Sequence, residues 1–461
     1  MTAEAPERPR RRRSRRRDDE LDAEEARAPA RPAPDAAAVS LPRGAGFPEP
    51  EVYEVSVPHE NIDDDALKVI RRLRRYGHHA FLVGGGVRDL LLGVPPKDFD
   101  IATSARPNEV RALFRNCRVI GRRFRLAHIL FAGGKVIEVA TFRRDPLEAF
   151  DQAEGEFAEE MEAQSEPAEA RRREDVDLLI RHDNVFGEPH EDALRRDFTI
   201  NGLFYDSEAR AVIDYVGGMK DVERRVVRTI GAPDVRFRED PVRILRAIKF
   251  SARLDLGIDP DVYDAMVAQR EELSRAARPR LLEEVLRLLR GGAAHRSFWL
   301  MWETGCLGVL IPQLAVHLDD DSEAARRLWG RLDAVDTLKK AGALPSDSVL
   351  LAALLLGPLE ETLTIHKDPL GAYEALMGDV GETLAIPRRM KERVRNVVLS
   401  QRRLATGKLG TMPRRDYFED AATVFAIECD ARGERRPEWL DGRTPMESEA
   451  PPPRRRRRRR R

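Results

Sequence analysis

The sequence predicts an α/β head built on a mixed sheet, followed by an all-α body, with disordered basic segments at both ends. Three observations predict this. Residues 81–100, FLVGGGVRDLLLGVPPKDFD, join a short apolar strand to a glycine turn, a helix and two alternating carboxylates. Runs of β-branched and aromatic residues follow it, at Val119 and Ile120, His128–Phe131 and Val136–Phe142. From about Asp183 to Glu428 the apolar spacing becomes helical.

Taken in order, residues 1–50 are rich in Arg, Pro, Ala and acid and read as a flexible arm. The helical spacing of Ala66, Leu67, Ile70 and Leu73 predicts a helix over 63–76 with Asp63 as its cap. Ala80–Val83 reads as a strand, Gly84–Gly86 as a tight turn and Val87–Leu92 as a helix. The head is expected to span 51–182. Within it, an insertion at about 147–172 carries nine acidic residues between Leu147 and Ala170, which predicts an exposed loop. A helical neck is expected over 183–295, interrupted by a hairpin-like pair, Ala211–Tyr215 and Val226–Ile230, around Gly217 and Gly218. The neck and a helical body over 296–440 include helices at Asp240–Arg253, Pro279–Arg290, Ser346–Leu356 and Pro387–Leu404. Residues 441–461 form a basic tail.

At 461 residues and 42% apolar content the chain can bury sizeable cores. The formal charge is zero, from 80 basic and 80 acidic residues, but it is segregated. Arg8–Arg17 holds eight arginines and Arg454–Arg461 is an unbroken run of eight. Such segments neutralise phosphates and release them as salt rises, so nucleic acid is the expected partner; the plainer alternative is a solubilising tail. Cys117, Cys306 and Cys429 lack metal or disulfide spacing, which fits a reducing cytoplasm. The longest apolar run, Val349–Leu356, is too short to span a bilayer, so no membrane association is expected.

The chemistry concentrates in four places. In the first, the amides of the glycine turn, with Gly85 at its centre, and Arg88 face a triphosphate. Asp98 and Asp100, spaced as strand neighbours on one face roughly 6–7 Å apart, can share two Mg2+ ions. In the second, RRDFTIN, Arg196 can bind phosphate, while Asp197 and Asn201 at i and i+4 of a helix can hold a ribose hydroxyl or a third metal position. The third is Asp240 and Arg243. Asp before Pro241 reads as a helix cap, yet the pair also matches the Watson–Crick edge of a base. In the fourth, GRRFRLAH, the cations Arg122, Arg123 and Arg125 surround Phe124 and can contact RNA. Further on, Arg280, Glu283 and Glu284 can brace the Arg243 helix by ion pairs.

At these residues the chain resembles the bacterial poly(A) polymerases and CCA-adding tRNA nucleotidyltransferases of the polymerase-β superfamily. The resemblance runs over roughly residues 80–290, through LVGGGVRDLLLG, KDFDIAT, RRDFTINGL, DYVGGMKD, REDPVRILRAIKF and LLEEVLRLL. It implies a polymerase-β-like nucleotidyltransferase head, with Asp98 and Asp100 binding two Mg2+ ions and Asp197 as a further catalytic carboxylate. Gly85, Arg88, Arg196 and Asn201 would hold the nucleotide, with Asp240 and Arg243 reading its base. Glu138, in VIEVATF, competes with Asp197 for the third carboxylate role, and Asp197 ranks ahead. GRRFRLAHI resembles the segment marking the poly(A) branch. The implied activity is therefore template-independent transfer of AMP from ATP to RNA 3′ ends, with CCA addition to tRNA as the alternative. RNA-decay or ribonucleoprotein components are the implied further partners. The acidic insertion and octa-arginine end depart from the family pattern.

Overall fold

The computed structural model describes residues 49–55, 57–121, 125–144, 185–319, 322–365 and 368–441. The N-terminal arm to residue 48, Arg122 and Arg123 with Phe124, the acidic insertion and the octa-arginine tail lie outside them. Two compact units account for the chain, Met1–Asp240 with Gly257–Val262, and Pro241–Leu256 with Tyr263–Arg461.

The first unit is organised by an eight-stranded mixed sheet in the order β1-β8-β7-β2-β3-β6-β5-β4. The strands are β1 (Glu51–Glu54), β2 (Ala80–Val83), β3 (Asp100–Thr103), β4 (Cys117–Ile120), β5 (Leu126–Leu130), β6 (Val136–Thr141), β7 (Leu203–Asp206) and β8 (Ala211–Asp214). Within this sheet, among the described residues, only β3 and β6 pair in parallel. β2 is buried at all four positions, as its uninterrupted apolar sequence AFLV requires of a central strand. The helix Asp64–Arg75 starts as expected, because the Asp63 carboxylate accepts from the amides of Asp65 and Ala66. Its apolar stripe, Ala66, Leu67, Val69, Ile70 and Leu73, is buried. A core of Phe81, Val83, Ala102, Phe142, Phe204 and Ile213 lies under the sheet. Phe81 and Phe204 meet edge to face at 6.1 Å.

Three expectations fail here for identifiable reasons. The sheet does not end at residue 182. β7 and β8 form the real hairpin and continue the head's sheet, β7 pairing with β2. Val226–Val227 (β9) instead pairs in parallel with Gly257–Ile258 (β10) in a separate two-stranded sheet. LFYD falls within the neck expected to be helical, and its hairpin turns through Arg210 at φ +51 with no glycine to announce it. The same motif is not one helix. Pro189–Leu194 is helical, Phe198 is extended and bridges Thr229, and Thr199–Asn201 is a single 3-10 turn.

The second unit is helical among its described residues, as expected. The helix Val242–Leu254 lies against Arg278–Arg290, where Lys249 Nζ reaches Glu284 Oε2 at 2.8 Å. That brace was expected through Arg280 and Glu284; Lys249 supplies its cation. Burial pushes the Lys249 ammonium below its usual range, although Glu284 pulls it back up. The expected helix over 387–404 is two, Arg388–Leu399 and Gln401–Ala405, meeting at Ser400. Val349–Leu356 is a buried stretch of the helix Asp347–Ile365. Among the described residues no helix is long and apolar enough to cross a membrane.

Candidate active site

The end of β2 fixes the glycine turn. Gly84 has φ +68 and ψ −136, a conformation L side chains rarely adopt, and the helix Gly85–Leu91 starts immediately after it. A Cβ on Gly84 would lie 3.3 Å from Arg196 Nη1 and 3.9 Å from Asp100 Oδ2. This glycine therefore keeps open a recess walled by a guanidinium and a carboxylate. Gly86 serves packing, since its Cβ would stand 3.1 Å from the Asp98 carbonyl. The expected nucleotide contact, Gly85, abuts Arg88, whose Nη2 would lie 3.4 Å from a Cβ there. Gly84→Ala is expected to cost about 1–3 kcal/mol through backbone strain. It should also lower activity at least about tenfold by displacing Arg196; urea unfolding and steady-state kinetics of the variant check both.

Asp100 is the first residue of β3, paired with Val83 of β2 on one side and Glu138 of β6 on the other. Asp98 stands outside the strand and is exposed, so the pair is one strand residue and one residue of the approach to it. Burial, then Glu138 and then Asp98, push the Asp100 carboxyl up to about 6, while Arg196 pulls it down. A half-buried carboxylate crowded by two others is electrostatically unfavourable until a cation joins it, and in that respect the residues fit a divalent metal. Among the described residues no three His, Cys, Asp or Glu side chains are gathered tightly enough to cage an ion.

Arg88 is buried, with Nε and Nη2 on Asp89 Oδ1 at 2.9 and 2.5 Å and Nη1 on Asn201 Oδ1 at 2.6 Å. Asn201 Nδ2 in turn donates to Asp197 Oδ1 at 3.0 Å. The structure thus brings Arg88, Asn201 and Asp197 into one relay, although no helix aligns the last two. Among the carboxylates, the charge Asp100 feels comes from Glu138 and Asp98.

Arg196 is held in place by Asp192, which accepts from Nη2 at 2.8 Å, while Nη1 donates to the Asn201 carbonyl at 3.1 Å. Its guanidinium lies 5.4 Å from the Phe204 ring centre. Burial pushes the Asp192 carboxyl up, but Arg196 and Arg195 outweigh it and hold it below the usual range. The sequence reading missed Asp192. Its signal was the i, i+3 and i, i+4 spacing of EDALRR on one helix face.

Asp240 does not open the helix it was expected to cap. It closes Pro233–Glu239 through its N–H on the Arg236 carbonyl, and Val242–Leu254 begins after Pro241 with no side-chain cap. Arg243 is buried in the first turn of that helix. Of the three expected RNA contacts, Arg125 is exposed just before β5, and Arg122 and Arg123 lie outside the described residues.

A family profile described as "Poly A polymerase head domain" matches residues 80–228, and one described as "Probable RNA and SrmB- binding site of polymerase A" matches residues 255–318. The chain is 38% identical over 402 residues to poly(A) polymerase I of Escherichia coli O6:H1, covering 83% of each protein. It is 36% identical over 385 residues to poly(A) polymerase I of Haemophilus influenzae, covering 80% of this chain and 81% of that one. With the CCA-adding enzyme of Geobacillus thermodenitrificans it shares 36% identity over 269 residues, covering 58% of this chain and 59% of that enzyme. Its fold is similar to that of the Bacillus stearothermophilus CCA-adding enzyme in complex with CTP, with a TM-score of 0.60 and 23% identity over 83% of this chain and 82% of that one.

Proposed function

This chain belongs to the family of bacterial poly(A) polymerases, and from that premise we propose that it extends RNA 3′ ends with adenylate from ATP, without a template. The observation that carries the reading is the recess at Gly84, with Arg196 on one wall and on the other Asp100, which Glu138 and Asp98 crowd. A triphosphate needs a cation and backbone room; a displacement at its α-phosphorus needs paired carboxylates beside it.

In the reaction the RNA 3′-oxygen forms a bond to the α-phosphorus, the bond from that phosphorus to the bridging oxygen of the pyrophosphate breaks, and the hydroxyl proton leaves to solvent. Arg196, preset by Asp192, holds phosphate oxygens. The Arg88–Asn201–Asp197 relay keeps the amide of Asn201 oriented toward the sugar, with Asp197 as the carboxylate that fixes it. Asp98 and Asp100 are the residues that would hold two Mg2+ ions, with Glu138 adjoining. When bound, the ions supply neutralisation of the departing pyrophosphate and a lowered pKa for the attacking hydroxyl. Asp240 and Arg243 read the base. Three free cysteines support placement in a reducing cytoplasm.

The similarity to poly(A) polymerases extends over 83% of the chain, against 58% for the CCA-adding relative, which favours the poly(A) reading. Purified protein given ATP and an unstructured RNA is expected to add many adenosines. Addition of a single adenosine, only to a tRNA ending in CC, would replace this reading by CCA repair. Arg243→Ala is expected to blunt the preference for ATP by about tenfold, the worth of a charge-assisted hydrogen bond. Comparison of kcat/KM for the four nucleotides checks it, and unchanged ratios would leave Arg243 a structural residue.

A further inference from the structure

One face of the head's sheet carries a polar row beyond the carboxylates. Directly paired residues project to the same face of a sheet. The register runs Asp100 to Glu138 from β3 to β6, Glu138 to His128 from β6 to β5, and His128 to Arg118 from β5 to β4. Arg118 and Glu138 are exposed and His128 partly so, whereas Ile101, Ile137, Val139, Ala127 and Ile129, on the opposite face, are buried. His128 Nε2 lies 3.4 Å from Glu138 Oε1. Arg118 has no acidic partner among the described residues. Beside this row, Ile120 and Leu126 pair directly, with Ile120 47% exposed, and form a short apolar strip. Three strand spacings place Arg118 about 14 Å from Asp100.

What this row serves follows from its side of Asp100. On the other side stands β2, with the Gly84 recess and Arg196. Displacement at phosphorus puts the attacking and leaving oxygens in line, on opposite sides of the phosphorus. With the pyrophosphate on the glycine side, the attacking hydroxyl must arrive from the β6 side. We propose that the β6–β5–β4 face is the track for the 3′ end of single-stranded RNA. Arg118 binds a phosphodiester one or two nucleotides before the terminus, the Ile120–Leu126 strip receives a base, and His128 screens Glu138 from the incoming phosphates. This rests on the triphosphate assignment above and adds a primer-positioning role for Arg118 and His128, the latter within the motif GRRFRLAH.

The test uses the full chain, a short unstructured RNA and ATP. Arg118→Ala is expected to raise the KM for RNA about tenfold, and Arg118→Glu further, with kcat and the KM for ATP within about twofold of wild type. The salt slope of RNA binding, read by fluorescence anisotropy, should fall by about 0.7 for the lost single-strand contact. A photoreactive 4-thiouridine one or two nucleotides from the 3′ end should crosslink to β4 or β5. Unchanged RNA affinity and salt slope in both Arg118 variants would overturn the track, as would crosslinks confined to other elements. A rise in the KM for ATP equal to that for RNA would instead move Arg118 to the triphosphate side and overturn it equally. Failure of the functional reading looks different: wild type would not adenylate any RNA, while RNA affinity measured by anisotropy would still depend on Arg118.

Discussion

Asp100→Asn is expected to lower adenylate transfer on the order of 10³-fold or more while making the protein more stable at neutral pH. The activity loss follows from removing a charge that faces both the Gly84 recess and the other carboxylates. The stability gain follows from the environment that makes this charge useful. Burial, Glu138 and Asp98 raise the folded-state pKa from the ordinary value of 3.8 to about 6. Between these values the folded protein binds more protons than the unfolded chain, so this group's contribution to stability is lost as pH rises through the window. Above it, ionised Asp100 costs up to ~3 kcal/mol, which asparagine does not. The variant should therefore unfold at higher urea than wild type at pH 7.5 and at the same urea near pH 3.5, in the absence of divalent cation. Mg2+ should stabilise the wild type more than the variant. Near-normal transfer by the variant would remove Asp100 from the reaction, and equal stability at pH 7.5 would show that its charge is not crowded.

The largest expected loss of stability lies in the second unit. Arg331, on the helix Glu323–Lys340, is 1% exposed and donates to Glu428 Oε2 at 2.8 Å, on the helix Phe418–Arg432. Gly330 lets the two helices close to a distance no larger residue permits, since its Cβ would stand 3.0 Å from the Ala431 Cα. Glu428→Ala leaves a guanidinium in the core without its carboxylate, an expected cost of about 3–5 kcal/mol. Replacing both residues, Arg331→Met with Glu428→Leu, should recover most of it, because an apolar pair of similar volume bears no desolvation penalty. Urea denaturation of the single and double variants checks this. A single variant within about 1 kcal/mol of wild type would show that water reaches Arg331.

Much of this molecule was legible along the chain. The strand AFLV, the glycine turn, the Asp63 cap and the long amphipathic helices each depend on residues within a few positions of one another, so local rules suffice. Asp98 and Asp100 with the turn at Gly84 lie within one such stretch, and the motifs around them carried the family. The misreading of the sheet involves partners distant in sequence; those of Asp240, of the helix over 387–404 and of the Asp197–Asn201 turn are local. β7 falls in a neck expected to be helical, and only its antiparallel pairing with β2 makes it a strand. Asn201 meets Asp197 by way of a 3-10 turn rather than a helical face.

By itself the sequence determined the family and most of the long helices, because motif spacing and residue type are local properties. Only the tertiary structure decided which of the candidate site residues are neighbours. Parallel pairing of β3 with β6 sets Glu138 beside Asp100, and the next two strands carry the same row through His128 to Arg118. Asp192, four residues before Arg196, becomes the group that aims it only because both are withdrawn from water. Register between strands and the burial of charge arise from contacts made across the chain, and no window of neighbouring residues contains them.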